Sequence, residues 1–472
     1  MSSTLSRRDF LKISASAIAA AGLAGYGGRW LQNRLTESSV QPPAEARNVI
    51  LVVLDTVRAS NLSLFGYELP TTPNLSRLAQ SAVHFTNAIS PASWTLQAHS
   101  SIFTGRLPFK LTADWSKPLD ATYPTLAEAY REAGYDTAGF IANYYYLGRE
   151  YGLDRGFQHY ESYRLTPGRA FASTSLGVVF YRRKRLFRPI ETNENFGYKN
   201  ASHVRQEFID WLERRDSQRP FFAFLNFIDA HEPYLPPKEF VSRLTNTLPI
   251  GHFPEDSKYY EDPGIIQGLM AAYDGAIAYV DDQVNQLIEQ LRARGLLENS
   301  VVVITSDHGE HFGDHGLLDH GNSMYRTLLH VPLLLLNPGT QPATINQTVG
   351  LRDLATTFVE LSGIQTPYQF PGQSLSRFWT QPNAPAQIVR SESHIHSFND
   401  SNTAGWGLAG SLTNDRFHYI RYEDDREELF NLVDDPAEKE NLVGSNGVKS
   451  DLETFRQLMG DKFPISPGVE EP

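Results

Sequence analysis

Four stretches of this chain are almost continuously apolar: Val49 to Leu54, Phe221 to Ile228, Val301 to Thr305 and Val331 to Leu336. A strand with one wet face alternates apolar and polar residues, so unbroken runs mark strands covered on both faces, as in a mainly parallel sheet. Between them, over 201–214 and 267–293, the apolar positions return with the spacing of a single helical face. Strands and helices alternating in this way predict a doubly wound α/β domain. In such sheets the side chains that do chemistry gather at the carboxyl ends of the strands. The residues immediately after the runs are Asp55, then Asp229 with His231, then Asp307 with His308.

Toward the carboxyl end the texture changes. Short β-like pieces, Gln387 to Arg390, Leu408 to Thr413 and Phe417 to Tyr422, precede a helical stretch near 447–460. They predict a small α+β subdomain over 387–472, packed on a main domain over 47–386. The acidic run Glu423 to Glu428 is expected to be a solvated turn. At the other end, Ser6-Arg7-Arg8-Asp9-Phe10-Leu11-Lys12 and the mild apolar run Ile13 to Ala24 resemble a twin-arginine export signal. That run falls short of the roughly 18 to 20 residues needed to span a bilayer. Residues 1–28 are therefore expected to be a cleaved leader and 29–46, with Pro42 and Pro43, a linker. The expected location is periplasmic or extracellular, with the twin-arginine machinery as a partner.

Composition narrows the chemistry. The net charge of -12, which becomes about -14 once a leader with three basic and one acidic residue is removed, argues against a dedicated nucleic-acid binder. It leaves room for a small anionic substrate in a locally positive pocket. There is no cysteine, hence no thiolate metal site, no Cys nucleophile and no Cys precursor of an oxidised catalytic residue. No phosphate-binding G-x-x-x-x-G-K occurs, and the glycines at 22, 25, 27 and 28 follow no strand, so they form no dinucleotide site.

A lone strand-end carboxylate such as Asp55 is more often a helix cap than a metal ligand. Asp307-His308 says more, because neighbours on a strand point to opposite faces and can share one ion only where the chain turns, a turn that Gly309 is expected to supply. His308, His311, His315, His320 and His330 then crowd a short segment of a chain with 14 histidines, which points to a metal or anion site. Between the first two runs, the apolar spacing from Leu96 to Phe103 and the stop at Gly105 predict a helix with Thr95 at its amino end. On the residues alone Thr95 is either a cap or a hydroxyl whose ionisation the helix dipole favours. His99 lies one turn on, on the same face.

Taken together, these segments resemble the sulfatase branch of the alkaline phosphatase superfamily. The resemblance rests on Asn48 to Arg58, Thr71 to Leu78, Thr95 to Gly105, Gly152 to Phe157, Asp229-Ala230-His231-Glu232-Pro233-Tyr234 and Thr305-Ser306-Asp307-His308-Gly309-Glu310, and it continues through His330 to Leu333, Gly372 to Leu375 and Glu428 to Leu432. It implies the alkaline-phosphatase/sulfatase-like fold and a divalent cation on Asp55, Asp307, His308 and the Thr95 oxygen. It also puts Thr95 at the nucleophile position and His231 and His320 where the ester or its leaving group is met. His99 joins these two as an expected substrate contact.

Two positions depart from the family pattern. Thr95 replaces the Cys or Ser that sulfatases convert to formylglycine, with Gln97 and His99 where the motif has Pro/Ala and Arg, so no formylglycine is expected. Ser90 has Ala92 two residues on, but Trp94 stands where Arg is required, and it is set aside. Thr56 replaces a second Asp, which favours zinc, manganese or magnesium over oxygen-hungry calcium. A threonine ester cannot collapse to an aldehyde and must be cleaved by water. Threonine nucleophiles resemble the phospho-group enzymes of the superfamily. The expected activity is therefore phosphate ester hydrolysis through Thr95, with sulfate ester hydrolysis as the alternative. A further alternative is phospho-group transfer to a lipid or glycan, with weak membrane contact through 170–188.

Overall fold

The computed structural model describes residues 40–43, 45–162, 199–215, 219–254, 261–381, 384–396, 404 and 407–460. The leader and the expected membrane-contact segment 170–188 lie outside them. In chain order the large sheet is built from β1 (Asn48–Leu54), β2 (Val83–Ile89), β3 (Asp136–Ile141), β4 (His159–Glu161), β5 (Phe221–Phe227) and β6 (Ser300–Thr305). A two-stranded hairpin follows, β7 (His311–Phe312) and β8 (Leu318–Asp319), and then β9 (His330–Leu336), β10 (Ala343–Ile345) and β11 (Val349–Gly350) complete the sheet. Its order is β10-β2-β9-β6-β1-β5-β3-β4, with β11 also on β2.

All four apolar runs are strands, three of them adjacent at the centre: β5 and β6 flank β1 in parallel register. Every residue of β1 is buried. Its alternation sends Val49, Leu51 and Val53 into one core, beside the helices Thr95–Thr104 and Leu354–Ser362. Ile50, Val52 and Leu54 go into the other, under the helices Ala201–Arg214 and Pro263–Ala293. Each such aliphatic side chain contributes about 1.5–3 kcal/mol on burial, which is why the centre of the sheet carries almost no polar residue.

Among the described residues, β9 is the one strand of this sheet that runs against its neighbours, pairing antiparallel with both β6 and β2. Thr305 at the end of β6 lies opposite Leu333 near the start of β9. The whole connection 306–329 therefore stays at the carboxyl edge of the sheet, and it is this connection that holds the histidine-rich segment.

The carboxyl-terminal strands β12 (Val389–Ile395), β13 (Gly407–Thr413), β14 (Phe417–Tyr422) and β15 (Glu427–Asn431) form a separate antiparallel sheet. One face packs on Ile89, Leu317, Met324, Tyr325 and Leu329 of the main domain. The other is closed by Leu452, Phe455 and Met459 of the helix Lys449–Met459. The acidic run is a turn over 423–426 only. Glu428 lies in β15 and accepts the hydroxyls of Tyr325 at 3.2 Å and Tyr422 at 3.1 Å, so its strand position draws it against the 306–329 connection instead of into solvent.

Candidate functional site

Asp55 directly follows β1, and Asp307 follows β6 by one residue. Both are fully buried. Each carboxylate has one oxygen held and one free. Asp55 Oδ2 accepts from the side-chain amides of Asn143 and Asn226, both at 3.0 Å. Asp307 Oδ1 accepts the backbone N–H groups of Thr56 at 3.2 Å and His308 at 3.0 Å. Asp55 Oδ1 and Asp307 Oδ2 have no hydrogen-bond partner. Burial first, and the charge of Asp55 next, push the Asp307 carboxyl well above its ordinary range. Two such oxygens in a dry site are stabilised by a shared proton or by a cation.

The third donor is an imidazole. His308 Nδ1 donates to the Gly309 carbonyl at 3.0 Å, which leaves the lone pair on Nε2. That nitrogen is 3.4 Å from Asp307 Oδ2 and 3.1 Å from the Thr95 hydroxyl. Burial and the neighbouring His320 hold His308 well below the ordinary histidine range, so it stays neutral, as a ligand must. One ligand atom each from Asp55, Asp307 and His308 lie within 4.8 Å of one another. These residues fit a divalent cation.

Gly309 serves this turn differently from the expectation. Its φ is not left-handed; a Cβ there would instead sit 2.1 Å from the Thr327 carbonyl and 2.8 Å from Arg58 Cβ. Only glycine lets the strand end pass so close. Ser90, set aside as a nucleophile, is buried, and its hydroxyl donates to the Asp307 and Ala92 carbonyls.

Thr95 begins the helix Thr95–Thr104, which ends at Gly105 with a left-handed φ of 68°. Its side chain is not a cap: Trp94 holds the cap position, and no side chain caps the end. The first N–H groups of the helix lack intrahelical acceptors, so the helix start is positive where the Thr95 hydroxyl meets His308. His99 is fully buried, against Phe224, with Nδ1 2.8 Å from the Thr95 carbonyl and 3.5 Å from Asp307 Oδ2.

Beside this cluster stand His320 and His231. The His320 ring is 4.5 Å from that of His308, 5.0 Å from His231 and 5.1 Å from Trp94, centre to centre. Its Nδ1 faces Glu310 Oε1 at 2.8 Å and Asp319 Oδ1 at 3.0 Å. Burial alone pulls His320 down, but those two carboxylates outweigh it and hold the ring well above the ordinary range. His231 is half-buried, with Nδ1 2.6 Å from the Glu232 carbonyl.

The description Sulfatase fits residues 47–364, more than half of the chain. The chain belongs to the sulfatase family. This family of hydrolases acts on esters, and the carboxyl-terminal part of the chain, 313–462, also matches the family described as N-sulphoglucosamine sulphohydrolase, C-terminal. A twin-arginine translocation signal matches residues 4–24, which directs export to the periplasm or beyond. The sulfatase-family chain is 25% identical to an arylsulfatase of Clostridium perfringens, over 87% of this chain and 93% of the relative. Its fold is similar to that of the phosphonate monoester hydrolase of Agrobacterium radiobacter, with a TM-score of 0.67, 19% identity and coverage of 87% and 94%. A structure in complex with its substrate D-glucosamine-2-N,6-O-disulfate matches with a TM-score of 0.69, 18% identity and coverage of 88% and 97%.

In this sulfatase-family site Asp55, Thr95, Asp307, His308, His231 and His320 come to one edge. Asp229 does not join them: its Oδ2 accepts the Ala201 N–H at 2.8 Å, at the start of the helix Ala201–Arg214. His311 bonds Ser323, His315 stacks on Tyr325, and His330 bonds the Thr86 carbonyl and Arg326, so these three are packing residues. Asn143, Asn226, Glu310 and Asp319 enter the site unanticipated. The asparagines stand at the end of β5 and just past β3, where the strand-end rule applied to every strand would have found them.

Proposed function

We propose that this exported sulfatase-family hydrolase cleaves phosphate-type esters through a covalent intermediate on Thr95. The observation that carries the reading is the Thr95 hydroxyl 3.1 Å from His308 Nε2, beside the free oxygens of Asp55 and Asp307. Asp55, Asp307 and His308 would hold a zinc, manganese or magnesium ion, which when bound lowers the hydroxyl pKa and offsets charge on the ester oxygens. The helix start orients Thr95 Oγ1 for in-line attack and offers its N–H groups to the anionic oxygens. Trp94 and Tyr146, whose rings lie 5.0 Å apart, wall the site on the side of His320. His231 or His320 protonates the departing alcohol, and one of them activates the water that releases the phosphothreonine. His99 supports the Thr95 backbone rather than the ester.

A threonine ester has no aldehyde route for expelling sulfate, which favours phosphorus over sulfur. The sulfate reading remains the second one, favoured by the similarity to an arylsulfatase, with a small-molecule or glycan-borne ester as the substrate class. The test is a matched panel of aryl sulfate, phosphate monoester, phosphodiester and phosphonate, with the metal-loaded protein and its Thr95→Ala variant. The phosphorus esters are expected to turn over fastest, and the variant to lose at least about 1000-fold in kcat. Aryl sulfate turned over best by orders of magnitude would reverse the substrate preference. A fully active variant would remove the nucleophile.

A further inference from the structure

Building on the Thr95 reading, we infer that Glu310 is the positioning residue that makes His320, and not His231, the group that protonates the leaving alcohol. Glu310 is fully buried, and its two oxygens are committed in opposite directions. Oε1 lies 2.8 Å from His320 Nδ1, and Oε2 accepts the Tyr234 hydroxyl at 2.8 Å. The Tyr234 ring is itself wedged edge-on against Tyr273 at 5.7 Å and Phe253 at 5.8 Å, and tilted against Phe312 at 5.7 Å. Arg58 Nη1 donates to the Glu310 carbonyl at 2.9 Å, which pins the backbone as well. The carboxylate therefore has no freedom to turn away from the imidazole.

The consequence is a fixed tautomer. A proton on Nδ1 that faces Glu310, with the part-exposed Asp319 as a second acceptor at 3.0 Å, stays there. The nitrogen left for the ester is Nε2. His231 Nδ1 is also held, by the carbonyl of the adjacent Glu232 at 2.6 Å, but that acceptor is neutral and gives no charge to stabilise a second proton on Nε2 as the Glu310 carboxylate does. An acid oriented by a buried carboxylate needs no rearrangement at the moment of proton transfer.

The steps balance as follows. The ionised Thr95 oxygen forms a bond to phosphorus while the bond from phosphorus to the leaving oxygen breaks, and that oxygen takes the Nε2 proton of His320 and departs as an alcohol. Water then gives a proton to Nε2 as its oxygen bonds phosphorus and the Thr95 bond breaks. The phosphate leaves, and both the Thr95 oxygen and the imidazole return to their starting state.

The test uses the metal-loaded full chain and a series of esters of the type it turns over, from 4-nitrophenyl through phenyl to alkyl. A good leaving group departs without a proton, so only the poor ones need the acid. Glu310→Gln keeps the shape and an acceptor for Nδ1 while removing the charge. It is expected to lower kcat/KM, which reports the steps up to departure of the alcohol, by about 100-fold on the alkyl ester and by less than about 3-fold on the 4-nitrophenyl ester. Tyr234→Phe should shift the series in the same direction by a smaller factor, and it decides the matter if Glu310→Gln does not fold. A uniform loss of kcat/KM across the series, or no loss, overturns the assignment. Thr95→Ala, run beside them, separates the two readings: if it stays active the nucleophile is wrong, and if it is dead while Glu310→Gln gives a flat series only the role of Glu310 falls.

Discussion

Asp55 Oδ2 is held by two asparagine amides so that Oδ1 points unpartnered toward Asp307 and His308. Such outer partners fix a ligand's rotamer, and their removal typically weakens metal binding by about 10- to 100-fold. Asn143→Ala removes one of the two. We expect about a 10-fold rise in the dissociation constant for zinc or manganese, measured by titration calorimetry of the stripped protein. An unchanged constant would mean that Asn226 alone orients Asp55. The neighbouring histidines divide by their partners rather than by their spacing. His308 meets the Thr95 hydroxyl and His320 lies against His308, while burial holds His311 down to about 3 and leaves it a neutral packing residue.

Elements brought together from distant parts of the chain complete one another's ends. The short helix Pro73–Leu78 has no side-chain cap of its own. Asp281, on the long helix Pro263–Ala293, supplies it by accepting the Leu75 N–H at 2.8 Å, the Asn74 N–H at 3.0 Å and the Asn74 side-chain amide at 2.8 Å. Burial pushes this carboxyl up to about 6, more than its hydrogen bonds pull it down. Since the folded pKa lies above the unfolded one, the folded chain keeps a proton between pH 4 and 6 that the unfolded chain has released, and stability from this group falls as pH rises through that window. Relative to Asp281→Asn, the protein should therefore lose about 2–3 kcal/mol of stability between pH 4 and pH 6. Urea titrations at the two pH values measure it, and parallel pH dependences would show that the carboxyl is ionised throughout.

At the scale of the whole molecule the two sheets share a core and a seam. Ser391 donates to the Ser90 carbonyl at 2.6 Å, the Glu392 N–H to the Pro91 carbonyl at 2.8 Å, and Ser393 to Gln97 at 3.0 Å, so β12 braces the segment that leads into Thr95. With Ile89, Met324 and Leu329 packed in the same cluster as Ile395, Ile420 and Phe430, the chain should unfold in one transition. Calorimetry and near-ultraviolet dichroism should report one midpoint, and two resolved midpoints would show independent sheets. The central strands, the helix that begins at Thr95 and the pair Asp307-His308 were readable because apolar runs, helical periodicity and a stop at Gly105 are local properties of the chain. β2 and β3 were harder to see: β2 carries His84, Thr86 and Asn87, and β3 is short and opens with Asp136. The family was likewise written in ordered motifs. Only the fold decided that β9 runs antiparallel and so keeps 306–329 at the carboxyl edge of the sheet, that Asp229 accepts the first N–H of a helix, that His99 is buried under Thr95, and that Glu310 meets His320. Those outcomes depend on which surfaces face one another across residues far apart in the chain, and no local periodicity encodes that.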